Sequence, residues 1–485
     1  MNNAPHKKLK PTLSWSYSWA TLSLLLALPL TASAKQDHDE TPLELSGYSL
    51  SESYQVDDDQ PADLESPILK QLLYRVRQTS PKSRAQYSQF SQTTTWQEMA
   101  SHTEDFRFWT FSRPARLTKI EKHAFKQSSS DDEIKGVYVC HCESIPHESI
   151  PHESIPHESI PPSTEDSATP PQKLIVLSRT IPKALPIDTE INQPIRISGF
   201  LYSRTLDAAG PRLVFITDRI EWYPQEKTNE ISANQAELSK LGFDLGLIDL
   251  IRENNARSLN GRDAEAFFQM LAAMNRLDGM PADLFKESSS VLSFSDLFSS
   301  STDHCGEAVR LQGVIRSCST VSIPHQDIQD RLEISQYYQL MIFPDLGGAK
   351  IIIRGKDGSE LDYQRFPITV CCTELPNGMS AQEVERKQCV IHGYFFRFWK
   401  YQSARTDLVD STGQLSPLII AKQPVLVETG IDVLDRGLLF FVLGTAALII
   451  FLISYFRFVD RNQKPPLENM LENLPEKIDI SGFDD

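Results

Sequence analysis

The residues best suited to binding chemistry lie in one short stretch near the end of the chain. That stretch reads Tyr394, Phe395, Phe396, Arg397, Phe398, Trp399, Lys400, Tyr401. Successive side chains of a β-strand point to opposite faces, so one face should meet a core and the other should present aromatic rings beside a positive charge. Such a face can stack sugars or bases. The candidate ligand-binding residues are Tyr394, Phe396, Arg397, Trp399 and Tyr401. The alternative is that this aromatic set packs against neighbouring elements.

A second group of chemically capable residues is rich in thiols and imidazoles. Its members are Cys140, His141, Cys142, His147, His152 and His157. The three later histidines belong to a tandem Glu-Ser-Ile-Pro-His repeat, which makes 143–162 an extended, proline-rich loop. His147 and Glu148 begin like the zinc-protease signature, but that signature needs a second histidine four residues on along a helix. Here the next histidine is five residues away, beyond Pro151, so we expect no functional metal site and no cofactor.

The usual catalytic signatures are missing from the sequence. It contains no nucleophile elbow, P-loop, dinucleotide-binding glycine pattern or paired CxxC motif. A triad can still assemble from distant residues, so this observation lowers the odds of an enzyme without excluding one. We expect a protein without catalytic activity.

Charge and composition narrow the choice of partners. The 485 residues carry 64 acidic against 48 basic side chains, a formal net charge of -16, and 40% of them are hydrophobic. Such a surface repels polyanions, so we expect no nucleic-acid partner. The apolar content is high enough to build cores, and the length predicts more than one domain.

The two ends of the chain predict export and a membrane anchor. Residues 1–34 have a basic start, a short apolar run and a small-residue cleavage site, as signal peptides do. Residues 437–456 form an uncharged stretch that can cross the lipid bilayer as one helix. Arg457, Arg461 and Lys464 follow it, so the positive-inside rule places the tail, 457–485, in the cytoplasm. We expect a single-pass cell-membrane protein whose bulk is periplasmic or extracellular.

Export permits disulfides among the seven cysteines of the predicted extracytoplasmic part. The pairs favoured by position are Cys305 with Cys318, and Cys371 or Cys372 with Cys389. Because seven is odd, at least one thiol should remain free or pair between molecules.

The exported part divides by composition. We expect a solvated acidic arm over 35–65, with an acidic calcium site as a disfavoured alternative. A helix should begin at Ser66 and lead into a β module ending at 226. Helical spacing then predicts an insert over 227–287, with one helix through Leu238, Leu241, Leu245 and Ile248 and another capped by Asn260 and closed by Gly279. A serine-rich linker, 288–304, precedes a second β module, 305–430.

An internal repeat organises these predictions. Residues 174–203 align without a gap on 368–397, bringing Gly199 onto Gly393, and the same offset brings Arg116 and Leu117 onto Arg310 and Leu311. Each copy shows short strands, a helical or loop connection and a glycine-punctuated aromatic strand. This layout resembles the OB-fold, a small Greek-key barrel, in strand order only. We predict a mixed, mainly β protein with two tandem OB-like small barrels from an internal duplication, a helical insert and one C-terminal transmembrane helix.

Two functions fit these expectations. The first is a membrane-anchored scaffold or interaction module that binds another envelope protein or itself. The second is a binding module for a cell-envelope oligosaccharide, which would use the aromatic strand.

Overall fold

A computed structural model gives the fold of the chain in twelve stretches. The described residues are 56–78, 94–126, 134–145, 171–207, 210–277, 291–344, 351–354, 360–363, 366–376, 378–401, 414–427 and 431–463. They form a mainly β protein with two separate six-stranded sheets, several helices and one long apolar helix near the C-terminus. The coarse fold class predicted from the sequence is therefore confirmed.

The first sheet closes on itself. Its strands run in the order β1-β2-β3-β5-β4-β6, and β1 also pairs with β4. All pairings are antiparallel except that of β3 with β5. The strands are β1 (Thr110–Ala124), β2 (Gly136–Ser144), β3 (Lys173–Thr180), β4 (Glu190–Asp207), β5 (Gly210–Arg219) and β6 (Glu221–Trp222).

The second sheet has the same connectivity. Its order is β13-β11-β8-β7-β12-β14, β12 also pairs with β13, and only β11 with β13 is parallel. The strands are β7 (Ala308–Ser322), β8 (Gln336–Pro344), β11 (Ile368–Cys372), β12 (Gln388–Tyr401), β13 (Gln414–Ala421) and β14 (Val425–Leu426). Between β8 and β11, the strands β9 (Ile351–Arg354) and β10 (Glu360–Tyr363) form a separate hairpin.

Glycines occupy the same place in both sheets. A Cβ added to Gly199 would lie 2.2 Å from the carbonyl oxygen of Ile216, and one added to Gly393 would lie 2.5 Å from that of Ile420. Both positions therefore exclude any side chain, because the fifth strand crosses directly over them. The expected alignment of Arg116 with Arg310 is wrong, however. Phe111 of β1 pairs with Gly199, and Val309 of β7 pairs with Gly393. Phe111 therefore corresponds to Val309, and the first strands of the two sheets align with a different sequence offset from the one that aligns the glycines.

Ten helices lie before, between and after the strands in the described part of the chain. They are α1 (Pro67–Gln78), α2 (Trp96–Ser101), α3 (Thr103–Phe106), α4 (Ala233–Lys240), α5 (Leu247–Glu253), α6 (Ala264–Asn275), α7 (Asp296–Ser299), α8 (Gln326–Leu332), α9 (Ala381–Val384) and α10 (Ile431–Gln463). α1 packs on β5 and α6 packs on β13, so the fifth strand of each sheet is covered by a twelve-residue helix.

The predicted helices of the insert need two corrections. The expected single helix through Leu238 and Ile248 is broken, because Gly242 has a φ of +82° that ends α4 and starts the turn into α5. Asn260 does not cap α6, which begins at Ala264. The side chain of Asn260 instead accepts a hydrogen bond from the backbone N–H of Arg262. Gly279 lies outside the described residues.

The expected acidic arm is fixed in its last part. Asp58 pairs with Arg107 and accepts a hydrogen bond from the backbone N–H of Arg204 at 2.8 Å, while Asp59 receives two bonds from the Arg204 guanidinium. Two of the carboxylates that suggested a solvated or calcium-binding segment are thus paired with arginines. Val56 is buried and Asp58 is partly buried, whereas Asp57, Asp59 and Gln60 are exposed, so only part of this stretch departs from the expected solvated arm. Residues 35–55 lie outside the described residues.

Two ion pairs fix the segment between the two sheets, one at each of its sides. Asp244, fully buried, pairs with Arg219 of the first sheet and accepts the backbone N–H groups of Trp222 and Gly246 at 2.9 Å. On the other side, Glu265 of α6 forms a bidentate pair with Arg331 of α8. Burial opposes ionisation of Glu265, but the contacts with Arg331 prevail and leave its pKa below the ordinary value. One hydrophobic core runs through both sheets and the insert.

The cysteines are all unpaired thiols. The predicted disulfides are therefore wrong for this structure: Cys305 and Cys318 are free, as are Cys371, Cys372 and Cys389. Burial raises the pKa of the Cys372 thiol well above its ordinary value, and the nearby Cys371, Cys389 and Cys318 add to the effect. Buried, protonated thiols of this kind behave as small core side chains.

Within α10, residues Phe440–Val459 are long and apolar enough to cross a membrane. Their mean hydropathy is 2.1, and none of this span is buried against the rest of the chain. The predicted span, 437–456, falls within α10. The predicted signal peptide, 1–34, lies outside the described residues.

Candidate binding site

Strand β12 carries all five residues predicted to bind a ligand, but it does not present them on one face. The pairing of β12 with β13 shifts register between Phe395 and Arg397. Such a bulge adds a residue to one strand and interrupts the alternation of faces. In addition, other parts of the chain cover both faces here, so every side chain from Tyr394 to Phe398 is buried and the expected exposed face is missing over this part of the strand.

Tyr394 and Phe396 belong to the core. Tyr394 is 2% exposed, and burial raises the pKa of its phenol above the ordinary value, with the charges of Glu237 and Glu307 contributing. The ring of Phe396 packs edge-to-face against Phe267 of α6, with 5.9 Å between ring centroids. The alternative that these aromatic residues pack against neighbouring elements is thus confirmed for Phe396. Neither side chain can touch a ligand in solution.

Arg397 is a buried structural cation. Its Nη2 donates to a carboxylate oxygen of Asp263 at 2.7 Å, and its Nη1 donates to the carbonyl oxygens of Asn254 and Arg257 at 2.7 and 2.8 Å. Both partners of the ion pair are almost completely buried. The guanidinium therefore fastens the segment before α6 to β12 and is not available to a ligand.

Trp399 and Tyr401 are the predicted site residues that reach the surface. Both are half-buried, and their rings stack with 5.2 Å between centroids and 30° between planes. The indole N–H of Trp399 donates to the hydroxyl of Thr369 at 3.2 Å, which fixes the ring against β11. Partial burial raises the pKa of Tyr401, so its phenol stays protonated at neutral pH. This pair is the remaining candidate for ligand contact.

Sequence reasoning missed the basic residue that lies beside this pair. Arg257 forms an isolated parallel bridge with Trp399, and the backbone N–H of Lys400 donates to its carbonyl oxygen at 3.1 Å. Nothing in the local sequence signals this contact, because Arg257 lies in an irregular segment between α5 and α6. Only the fold brings it to the end of β12.

The thiol and imidazole group does not assemble into a site among the described residues. Cys140 and Cys142 are buried on β2, whereas His141 lies 3.7 Å from Glu121 on the neighbouring strand. The part of the chain that the structure covers contains no group of three potential metal ligands. His147, His152 and His157 of the proline-rich loop lie outside it.

Comparison with known proteins adds little to this geometry. No protein family and no curated protein matches the sequence. Among solved structures, the fold is similar to a small single-stranded DNA-binding protein from Streptomyces coelicolor, with 9% identity over 23% of this chain and 85% of that chain. The TM-score is 0.13, so the likeness carries no argument about fold or function.

Proposed function

We propose that the chain is a single-pass, membrane-anchored extracytoplasmic scaffold or interaction module without catalytic activity. The observation that carries this proposal is the single hydrophobic core that runs through both closed sheets and the segment between them, followed at the C-terminus by an apolar helix that is not buried against the rest of the described chain. A rigid body on a membrane tether is suited to holding partners in place.

At the level of fold, we propose two tandem OB-like barrels that arose by duplication. The shared strand order supports the OB-like assignment, since six strand pairings, five antiparallel and one parallel, recur in the same places. Backbone hydrogen bonds support the duplication. The N–H of Phe108 donates to Leu201 at 2.7 Å, and that of Gly306 donates to Phe395 at 2.8 Å. We call these repeats the first and second modules.

The proposed repeat extends beyond the barrels into the segments that precede helices α1 and α6, which we call the lead-in segments. The backbone N–H of Arg204 donates to the side chain of Asp58 at 2.8 Å, and that of Phe398 donates to the side chain of Asn255 at 2.9 Å. The next residues, Asp59 and Ala256, have φ values of 62° and 61°. We infer that the repeat unit includes the helix α1 or α6, so that α6 belongs to the second module and not to an insert.

The orientation in the membrane follows from charge. Arg457 lies at the end of the apolar span and Arg461 and Lys464 follow it, whereas Arg436 is the basic residue just before it, and this excess of basic residues favours a cytoplasmic C-terminus. We therefore propose that the bulk of the chain is exported, which agrees with the signal-peptide pattern of its first 34 residues.

Labelling of single introduced cysteines in intact cells tests this topology. In a Cys318→Ser background, which removes the one half-exposed native thiol, Gly261→Cys should react with a membrane-impermeant maleimide because Gly261 is exposed and unobstructed. Ser481→Cys in the tail should react only after the membrane is opened. Labelling of both positions only after lysis would contradict export.

A second function is favoured by one specific observation. Trp399 and Tyr401 are partly exposed aromatic residues that stack on each other, and aromatic rings at a surface can pack against sugar rings. We therefore keep binding of a cell-envelope oligosaccharide as the alternative, now centred on these two residues. Retention of the protein on isolated wall polysaccharide, and its loss in Trp399→Ala, would favour this function over a purely protein-binding scaffold.

A further inference from the structure

The surroundings of Trp399 and Tyr401 define one corner of the second module. Arg257 is bridged to Trp399, and Arg262 lies directly before Asp263, which Arg397 ties to β12. The buried Arg397 thus fixes the whole basic segment against the end of the strand. We call the surface formed by Trp399, Tyr401, Arg257 and Arg262 the aromatic corner.

The charge of the aromatic corner is unusual for this chain. Arg257 and Arg262 are exposed, and within the described residues neither side chain forms an ion pair. The protein as a whole carries a net charge of -16. Two exposed arginines on the segment that is held against the end of β12, together with the partly exposed aromatic pair, suit a ligand that combines negative charge with a flat apolar ring.

The first module lacks this chemistry at the corresponding place. Thr205 and Asp207 stand at the strand positions of Trp399 and Tyr401, and Gln60 and Glu65 stand at those of Arg257 and Arg262. Glu65 is already engaged by Lys70, with 3.0 Å between the charged atoms. The basic and aromatic character is therefore a property of one corner and not a consequence of the fold.

The position of the aromatic corner leaves room for a polymer. The chain leaves the second sheet at β14, which pairs with Cys389 and Val390 at the start of β12. Trp399 lies about 30 Å further along the strand, at a rise of about 3.3 Å per residue. The corner is therefore well separated from the point where the chain departs for the membrane helix.

We propose that the aromatic corner binds an anionic glycan, meaning a polysaccharide that carries carboxylate or phosphate groups. This inference rests on the second proposed function and names its ligand class. A sugar ring would stack on Trp399, while Arg257 and Arg262 would pair with the acidic groups of the same or the next residue. Nucleic acid fits less well, because its binding depends on contacts with many phosphates and the corner offers two arginines in an acidic protein.

The test uses purified full-length protein in detergent and four probes: polygalacturonate for carboxylate, phosphomannan for phosphate, neutral mannan and single-stranded DNA. Titration followed by calorimetry should show saturable binding of at least one anionic glycan and much weaker binding of neutral mannan. Trp399→Ala and the double change Arg257→Gln with Arg262→Gln should each weaken binding by about tenfold or more, because a lost charge-assisted contact is worth about 1.5–3 kcal/mol.

Matched controls keep the result interpretable. Thr205→Ala and Asp207→Asn alter the corresponding corner of the first module and should leave affinity unchanged. Trp399→Phe retains an aromatic ring, so it should bind more tightly than Trp399→Ala, and binding is compared at a temperature at which thermal unfolding shows both variants to be folded. Each variant must keep the circular dichroism spectrum of the parent protein, so that loss of fold is not read as loss of binding.

Three outcomes would overturn the proposal. These are failure of the parent protein to bind either anionic glycan, binding that the three corner substitutions leave intact, and tighter binding of single-stranded DNA than of both glycans. Because the titration uses purified protein, its failure would leave the proposed topology and scaffold role standing. Conversely, labelling that contradicts export would not alter a measured affinity.

Discussion

In each module an arginine of the fourth strand holds the segment that precedes the covering helix, but the two arginines are not at equivalent positions. Arg204 of β4 corresponds to Phe398 of β12, the neighbour of Arg397. In the first module, Arg204 reaches outward and pairs with Asp59, and the two side chains are 25% and 44% exposed. In the second, Arg397 points inward to Asp263, and the exposures are 0% and 2%. At both places a backbone N–H of the strand donates to a side-chain oxygen of the lead-in segment, that of Asp58 or that of Asn255. Two backbones with the same strand order can therefore share these hydrogen bonds while one joint is solvated and the other is part of the core.

Replacing Arg397 and Arg204 should give the largest difference in unfolding free energy between the two modules. Arg397→Met leaves the carboxylate of Asp263 buried without its cation, which should cost about 3–5 kcal/mol of unfolding free energy. Arg204→Met removes a solvated pair and should cost about 0–1 kcal/mol. Urea unfolding of the full-length protein in detergent measures both. Equal losses in the two variants would mean that the joints do not differ in the way their burial indicates.

A double change sharpens the same contrast. Adding Asp263→Leu to Arg397→Met removes the stranded charge, so the pair of changes should be less destabilising than Arg397→Met alone. If the double variant is instead worse by the full sum of the two single effects, the ion pair is not the source of the loss.

Helices α1 and α6, which cover the two modules, should lose similar amounts of stability when a buried leucine is shortened. Leu73 of α1 and Leu271 of α6 are both fully buried, one against each module. Leu73→Ala and Leu271→Ala should therefore each cost about 2–5 kcal/mol through lost contact and cavity formation. Thermal unfolding of the two variants checks this. A negligible effect at Leu73 beside a large one at Leu271 would show that α1 is not an integral part of its module.

Sequence patterns reached a large part of this architecture, for identifiable reasons. Helix α1 was predicted from the spacing of Leu69, Leu72, Leu73 and Val76, which all face the sheet. The paired strands around Gly199 and Gly393 were found because backbone crossing there excludes every other residue. The connections between strands differ in length, so an offset that fits those strands could not also align Arg116 correctly.

The candidate site was less accessible to sequence reasoning. A strict two-residue alternation would expose one face of β12, but the register shift after Phe395 breaks it. The burial of Arg397 depends on Asp263 and three carbonyl groups from a distant segment. Long-range partners of this kind leave no local pattern, so Arg397 resembled an exposed ligand-binding arginine.

The two glycines offer a smaller and symmetrical test. Gly199→Ala and Gly393→Ala would each press a methyl group against a backbone carbonyl, and each should lose about 1–3 kcal/mol. Gly261→Ala, where a Cβ meets nothing within 4 Å, is the matched control and should be close to neutral. Urea unfolding compares the three, and a loss at only one of Gly199 and Gly393 would break the proposed equivalence.

The smallest predicted effect is a pH dependence of the stability of α1, the covering helix of the first module. Lys70, the backbone N–H of Lys126 and His123 together lower the pKa of Glu65 to about 2 from an ordinary value of 4.5. A depressed carboxyl pKa stabilises the folded state above the unfolded pKa, and that contribution is lost as pH falls from about 4.5 towards about 2. Because α6 has its own carboxyl group with a lowered pKa, Glu265, the reference is a variant and not the other helix. Amide exchange in α1 should speed up over this range more in the parent protein than in Glu65→Gln.

Glu65→Gln supplies the control for this measurement. It removes the titrating group, so exchange in α1 should depend less on pH in this range than it does in the parent protein. An unchanged pH dependence in that variant would assign the effect to another carboxyl group.

An experimental density map of the full-length protein tests the central claim most directly, because it allows residues 56–222 to be superposed on 253–427. The account predicts that the two halves coincide strand for strand. In both, the backbone N–H of the residue with positive φ, Phe108 or Gly306, should meet the carbonyl oxygen of Leu201 or Phe395. Halves that differ in strand order, or a second half without these bonds, would contradict it.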